Sequence, residues 1–412
     1  MIDDHAAPQP AWGALQHRGF ALFWVSRLCT TFATQMVSVA VGWQVYDLTR
    51  DPFDLGLVGL VQFAPALLLV LVTGAASDRF SRRLIVLICQ IAEAASAGIL
   101  LYLVVSETVT VSAIFATLAV FGVARAFMNP ASQSLIPNLV PPEALASAIA
   151  LSASSWQVAV ILGPVAGGLL YGVGPDIAYG TALFLFGISA LLIVFVPRPP
   201  QKTLSEPANW STIVAGFRYI WREKIVLGAI SMDLFAVLLG GAVALLPAFA
   251  RDILEVGPWG LGLLRAAPGM GAVVVAAYLA VRPLRDHAGL IMFVCVALFG
   301  LANLIFGLST AVWLSVVALA LAGAFDMVSV YVRETLIQLW TPDAVRGRVN
   351  AVNMVFIGAS NELGEFRAGS MAALIGVVPA VVVGGVGTVA VAVLWMIWFP
   401  ALRRARHLSG RF

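Results

Sequence analysis

The chain has 412 residues, 61% of them hydrophobic and only 11% charged, with a formal net charge of +3. A soluble domain carries about a quarter charged residues. A chain this apolar could not cover a soluble surface, so it reads as an integral membrane protein of many helices. The small net charge gives no reason to expect a nucleic acid partner. The only lysines, Lys202 and Lys224, stand outside any G-x-x-x-x-G-K-[ST] setting, which excludes an ATP-binding P-loop.

In chain order, residues 1–19 form a polar, acidic tail, unlike the basic start of a signal peptide. Spans of about 20 apolar residues follow. They are expected at 20–47, 53–77, 84–105, 109–135, 144–172 and 177–196. The stretch 197–224, "PRPPQKTLSEPANWSTIVAGFRYIWREK", is polar and proline-rich at first, then amphipathic, and reads as a linker. Six further spans are expected at 225–250, 258–281, 288–308, 311–338, 347–375 and 378–399, with a basic tail over 400–412. The expected fold is an all-α membrane protein of twelve transmembrane helices in two six-helix bundles, 20–196 and 225–399. Cys29, Cys89 and Cys295 lie inside apolar runs and read as packed small hydrophobes. His5, His17, His287 and His407 sit in tails or loops without ligand spacing, and no metal site is expected. Trp24, Trp43, Trp210, Trp221, Trp259, Trp395 and Trp398 fall near span ends or in the linker, as interfacial anchors do. Trp156 lies mid-span beside "SASS", where it would either pack, the preferred reading, or line the cavity.

Orientation follows from the arginines. Alternate loops, the linker and the C-terminal tail collect most of the 24 Lys and Arg residues, while Arg50 and Arg251 alone fall on the opposite face. That bias places both termini in the cytoplasm and requires an even number of spans. Shifted by 203 residues, "GLVQFAPALLLVLVTGAASDRFSRR" falls on "GLLRAAPGMGAVVVAAYLAVRPLRD", aligning Gly59 with Gly262, Pro65 with Pro268, Arg79 with Arg282 and Arg82 with Arg285. Shifted by 200, "PPEAL" falls on "TPDAV". Two matches in one order point to a duplicated six-helix unit, the mark of secondary transporters whose sites lie near the bilayer midplane.

"GAASDRFSRR", Gly74 to Arg83, ends the second span. Gly74, Asp78, Arg79, Arg82 and Arg83 resemble the G-x-x-x-D-R-x-G-R-R loop motif of the major facilitator superfamily, with Ser81 where the family prefers glycine. The resemblance implies a cytoplasmic latch. Gly74 would admit a close helix, Asp78 would accept hydrogen bonds at the N-terminal end of the eleventh span, and the arginines would bind carboxylate or lipid phosphate. "GPVAGG", with Gly163, Pro164, Gly167 and Gly168, resembles the fifth-helix motif that marks exporters, although Ala159 replaces its leading glycine. "GVARAFMNPA", "GGAVALLPAFARDIL", "GLGLLRAAPGMGA" and "TPDAVRGRVNAVN" are similar to the branch that holds the enterobactin exporter and macrolide efflux proteins. They select no substrate.

Charges inside spans are the remaining candidates. Glu362 lies ~20 Å into its helix, near mid-membrane, where a charge costs on the order of 3 kcal/mol. Glu365 shares its face, about 60° away, whereas Arg367 points more than about 140° away. Two carboxylates so close suit a proton carrier; the alternative is an ion pair with arginines of other helices. Arg27, Glu93, Arg125, Asp233, Arg265 and Asp326 complete the set. Arg125 stands where the family's fourth-helix motif has its arginine, but Met128 and Asn129 replace the expected glutamine and glycine. The repeat sets Arg125 and Asp326 at like depth, and a pair between them is expected. Arg265 begins a span from outside and would either attract an anionic substrate or snorkel.

The expected function is secondary active transport, not enzymatic catalysis: proton-driven efflux of a small molecule such as a siderophore or drug, with no cofactor beyond the proton gradient. Import by the same fold, or a non-transporting receptor or scaffold, are the alternatives. The expected setting is a bacterial inner membrane, with lipid as neighbour and a monomeric chain.

Overall fold

The computed structural model describes residues 12–198, 217–284 and 286–404. Every described element is helical in the order α1 (Arg18–Thr49), α2 (Pro52–Leu68), α3 (Val70–Arg79), α4 (Arg82–Val105), α5 (Val111–Leu139), α6 (Leu145–Val173), α7 (Pro175–Phe195), α8 (Lys224–Gly240), α9 (Pro258–Val281), α10 (Ala288–Leu308), α11 (Val312–Trp340), α12 (Asp343–Ile375) and α13 (Val377–Trp398), with shorter turns between them. Among the described residues nine helical stretches are long and apolar enough to cross a membrane. The rest of the expected spans fall on α1, on α2 with α3, and on α12. Threonines and glutamines in α1, and the charges of α12, dilute their apolar character.

Two expected spans are not single helices. The second breaks at Leu69, one turn past Pro65, into α2 and α3. The seventh stops at Gly240, followed by Gly241, and resumes as a short turn and a single π-turn, Phe249–Ile253. Glycine lacks the side chain that favours the helix, and Pro247 supplies no N–H to continue one.

The chain divides into two compact units. One comprises Met1–Val41 with Ala64–Pro207, the other Gly42–Phe63 with Ala208–Phe412. The second therefore takes the end of α1 and the start of α2 along with the second half of the chain. Within the first unit α5 and α7 pack along α4, and α3 packs along α5. Within the second, α10 packs on α13 and α11, α9 on α11, and α8 on α12 and α13.

The stretch expected as linker is partly folded. Residues 217–222 are helical. Tyr219 donates to the Trp340 carbonyl at 2.9 Å, and Ile220 joins a core of Val226, Ile230, Ile337, Val349 and Val352. Residues 199–216 lie outside the described residues, as do the outer parts of both tails.

Two expected interfacial tryptophans are instead packing residues. Trp24 donates from its indole to the Leu151 carbonyl at 3.0 Å. Trp395 is buried among Phe235, Trp398 and Phe399 and donates to Ser231 at 2.8 Å. A tryptophan set two turns inside a span meets neighbouring helices before it meets headgroups, and its N–H then needs a protein acceptor. All three cysteines are free thiols.

Candidate functional site: buried charge centres in two helical units

In the first unit, hydroxyls build the floor. Ser26 and Thr30 on α1, Ser189 on α7 and Gln90 on α4 form one knot: Ser26 to Ser189 at 2.8 Å, Gln90 to Ser26 at 2.9 Å and Gln90 to Thr30 at 3.3 Å. Satisfying these groups mutually fixes three helices without exposing an orphan donor. Above the knot opens a polar cavity of about 120 Å³, lined by Arg27, Thr30, Thr31, Thr34, Gln35, Gln90, Glu93, Arg125, Asn129, Gln133 and Trp156, among others. Glu93 is 1% exposed and interacts electrostatically with Arg125. Trp156 is thus a cavity wall and not a packing residue: the cavity side of α6 leaves its ring half open.

The glycines of "GPVAGG" bring α6 against α1. A Cβ added at Gly163 would stand 2.6 Å from the Gln35 Cβ, and one at Gly167 2.8 Å from the Met36 Cα. Pro164 and Gly168 are buried in the same helix. Gly167→Leu would force these backbones apart. Overpacking of this kind costs about 1–3 kcal/mol, and the purified variant is expected to melt several degrees below wild type in a fluorescence-detected thermal shift, with Gly172→Leu, which meets open space, as the silent control.

A Cβ at Gly74 meets nothing within 4 Å among the described atoms. Asp78 closes the last turn of α3, and its side chain lies outside the described residues. Arg79 is exposed. Arg82 donates to the Ser134 carbonyl at 2.9 Å, and Arg83 to the carbonyls of Ile193 at 3.0 Å and Val194. Ile193 and Val194 lie in the last turn of α7, whose carbonyls carry partial negative charge that a guanidinium satisfies, whereas Ser134 lies inside α5.

In the second unit two centres stand out. The first joins α2, α9 and α12. Measured from a Cβ position at Gly59, the Glu365 Oε2 lies 2.9 Å and the Glu362 Oε2 3.1 Å away, so both carboxylates converge on this glycine. Arg265 on α9 interacts electrostatically with both, more strongly with Glu365. Arg265 is drawn inward to these carboxylates rather than outward to the interface. Arg367 belongs elsewhere. It donates to the Leu238 carbonyl at 2.9 Å and the Leu239 carbonyl at 2.6 Å, closing the exposed end of α8 where the helix stops.

The second centre joins α8, α11 and α12. Asp233, 7% exposed, makes an ion pair with Arg333, 2% exposed. Asp326, two turns before Arg333 on α11, interacts with both. Glu334 stands 3.6 Å from Arg333 and accepts from Asn353 at 3.0 Å. Within their own units, Asp326 interacts with Arg333 and Arg125 with Glu93. Arg333 was not among the sequence candidates. Its spacing of seven from Asp326, which puts both on one helix face, was the available signal.

A third cluster was also missed. Tyr46 donates to Asp252, Arg50 pairs with Asp252 at 3.1 Å, Arg251 pairs with Asp47, and the Arg251 guanidinium sits 5.3 Å over the Trp43 ring. The two arginines that the charge bias set apart are both spent in this knot. Among the described residues no group of three or more His, Cys, Asp or Glu is placed to hold a metal.

Comparison with known proteins fits this architecture. A profile described as transmembrane secretion effector matches residues 9–407. The enterobactin exporter EntS of Citrobacter koseri is 26% identical over 396 residues, covering 95% of this chain and 94% of that protein. EntS of Escherichia coli O1:K1 is 25% identical over the same length. Among solved structures, the nucleoside transporter NupG superposes with a TM-score of 0.69 at 14% identity over 92% of this chain and 99% of NupG. A bacterial homolog of the human lysosomal transporter Spinster, inward-facing and occupied, gives 0.71 at 13% identity over 94% and 96%. These structures share the fold. The profile spans nearly the whole chain, and the chain belongs to the transmembrane secretion effectors of the major facilitator superfamily, multi-pass secondary transporters that are not enzymes.

Proposed function

We propose that this chain exports a small siderophore- or drug-like molecule by alternating access, in exchange for protons, across a bacterial inner membrane with both of its termini in the cytoplasm. The observation that carries the reading is the convergence of Glu362 and Glu365 on Gly59 beside Arg265. Two carboxylates converging on one guanidinium crowd like charges in a medium where charge is costly, and protonating one of them relieves that crowding. Uptake of the proton from one side and its release to the other is the step that a gradient can drive. The names of the relatives, exporters of a siderophore, favour efflux over uptake. The polar cavity of the first unit offers guanidinium, amide and hydroxyl groups with one indole face, which suits a hydrogen-bonding substrate with a planar part.

The chain acts alone in this reading, with no cofactor, and the latch residues Gly74, Asp78, Arg79, Arg82 and Arg83 gate one side. The test is comparative metabolite analysis of cells and medium, with and without a protonophore. A compound that accumulates outside only in cells expressing the chain, and only while the gradient stands, is the expected result. A compound depleted from the medium instead would establish the importer. Accumulation that survives the protonophore would remove proton coupling.

A further inference from the structure

The polar cavity of the first unit is walled by two polar helix faces, each headed by an arginine. Arg27, Thr31 and Thr34 follow at helical spacing on α1, and Arg125, Asn129 and Gln133 on α5. Trp156 completes the lining from α6. The two arginines are held differently. Arg125 interacts with Glu93, whose side chain is 1% exposed and so sits behind the wall. Arg27 makes no ion pair and donates no side-chain hydrogen bond among the described residues. Other arginines inside spans are engaged: Arg265 with Glu365, Arg333 with Asp233 and Arg367 with carbonyls of α8. Asp78, whose side chain lies outside the described residues, belongs to the last turn of α3 at the end of its span, whereas Arg27 stands nine residues into α1, roughly 13 Å from its start.

Resting on the export reading, we propose that this cavity anchors the substrate by a carboxylate carried on a planar ring, the carboxylate on the Arg27 guanidinium and the ring against the Trp156 indole. The charged residues of the lining are two arginines and one acid, so one positive charge is in surplus. A charge at this depth is costly, and a bound anion relieves it. The guanidinium fork takes both oxygens of a carboxylate at once. An ammonium group would meet Arg27 while the acid stays buried behind Arg125. Size sets how much of the substrate enters. The cavity, about 120 Å³, is close to the ~150 Å³ that encloses a benzene ring and well below a whole drug site. It therefore takes one ring with its acid group. The indole face, about half exposed, offers that ring a stacking surface. The exposed amides of Asn129 and Gln133 serve polar substituents on it.

Ligand-detected fluorine NMR on the purified full-length protein, with para-fluorobenzoate, para-fluorobenzamide and para-fluorobenzylamine, tests this. Wild type is expected to bind the benzoate about tenfold more tightly than the neutral amide, and the amine most weakly. Arg27→Gln should bring the benzoate down to the level of the amide and leave the amide unchanged. Arg27→Lys, which keeps the charge but loses the fork, should fall between. Trp156→Ala should weaken benzoate and amide alike. A wild type that holds the amide or the amine as tightly as the benzoate overturns the proposal, as does an Arg27→Gln variant with wild-type affinity for benzoate. Matching unfolding temperatures show that the variants are folded; if Arg27→Gln is not, the order of the ligands on wild type decides. Binding is read without a gradient or transport, so failure here removes the anchor and leaves the export reading to its own test.

Discussion

Glu362→Gln is expected to leave a stable protein that exchanges substrate across a membrane but no longer concentrates it at the expense of a pH gradient. Arg265 interacts more strongly with Glu365 than with Glu362. With Glu362 neutral, one carboxylate faces one guanidinium and the charges balance, so the fold loses nothing. What disappears is one of the two crowded carboxylates on which a proton can settle. In proteoliposomes, gradient-driven accumulation should fall at least about tenfold, equivalent to about 1.4 kcal/mol, while substrate-for-substrate exchange persists. Glu365→Gln should also lose accumulation, because Glu362 then becomes the sole partner of Arg265. The double replacement is predicted to do more than the sum of its parts. It strands Arg265 without a counter-charge, and breaking a buried pair costs about 3–5 kcal/mol. A stable double variant would show that Arg265 does not depend on these carboxylates. Undiminished accumulation by Glu362→Gln would place the coupling proton elsewhere.

Arg333→Gln is expected to be the most damaging single change in the second unit. It leaves Asp233 and Asp326 facing each other with no cation between α8 and α11. The loss, again about 3–5 kcal/mol, should appear as little folded protein by size-exclusion profile and a much lower unfolding temperature. The carboxylates should behave unequally. Asp326→Asn leaves the Asp233–Arg333 pair whole and should melt at or above the wild-type temperature. Asp233→Asn frees Arg333 to turn to Asp326 and should fall between. If Asp326→Asn destabilises as much as Arg333→Gln, then Arg333 holds Asp326 rather than Asp233, and the pairing drawn from the geometry is wrong.

Particular residues show how much of the site could be read in advance. Glu362 and Glu365 were legible because a three-residue spacing fixes a shared helix face whatever surrounds it. Arg367 was legible as pointing elsewhere for the same reason. What it points at was not, since the early stop of α8 at Gly240 creates the open carbonyls it satisfies. The glycines of "GPVAGG" were readable as sites of close approach. Only the packed structure shows that α1, at Gln35 and Met36, is what approaches. Internal repetition reports depth and says nothing of lateral neighbours, so the charges met within each unit, Arg333 for Asp326 and Glu93 for Arg125, were not legible. Trp156 was misread because mid-span position does not tell a cavity wall from a packed interior.

By itself the sequence determined the solvent, the helical class, the number of expected spans and the superfamily. Hydrocarbon admits no unpaired backbone group, so apolar length alone dictates helix, and charges too costly to bury at random mark where function lies. It could not decide partners. Which guanidinium meets which carboxylate depends on how helices far apart in the chain pack side by side. That packing is set by side-chain shape and by the points where a helix breaks, at Leu69 and at Gly240. The tertiary structure alone therefore set Arg265 beside Glu362 and Glu365, gave Asp233 to Arg333, and seated the motif arginines Arg82 and Arg83 on backbone carbonyls of α5 and α7.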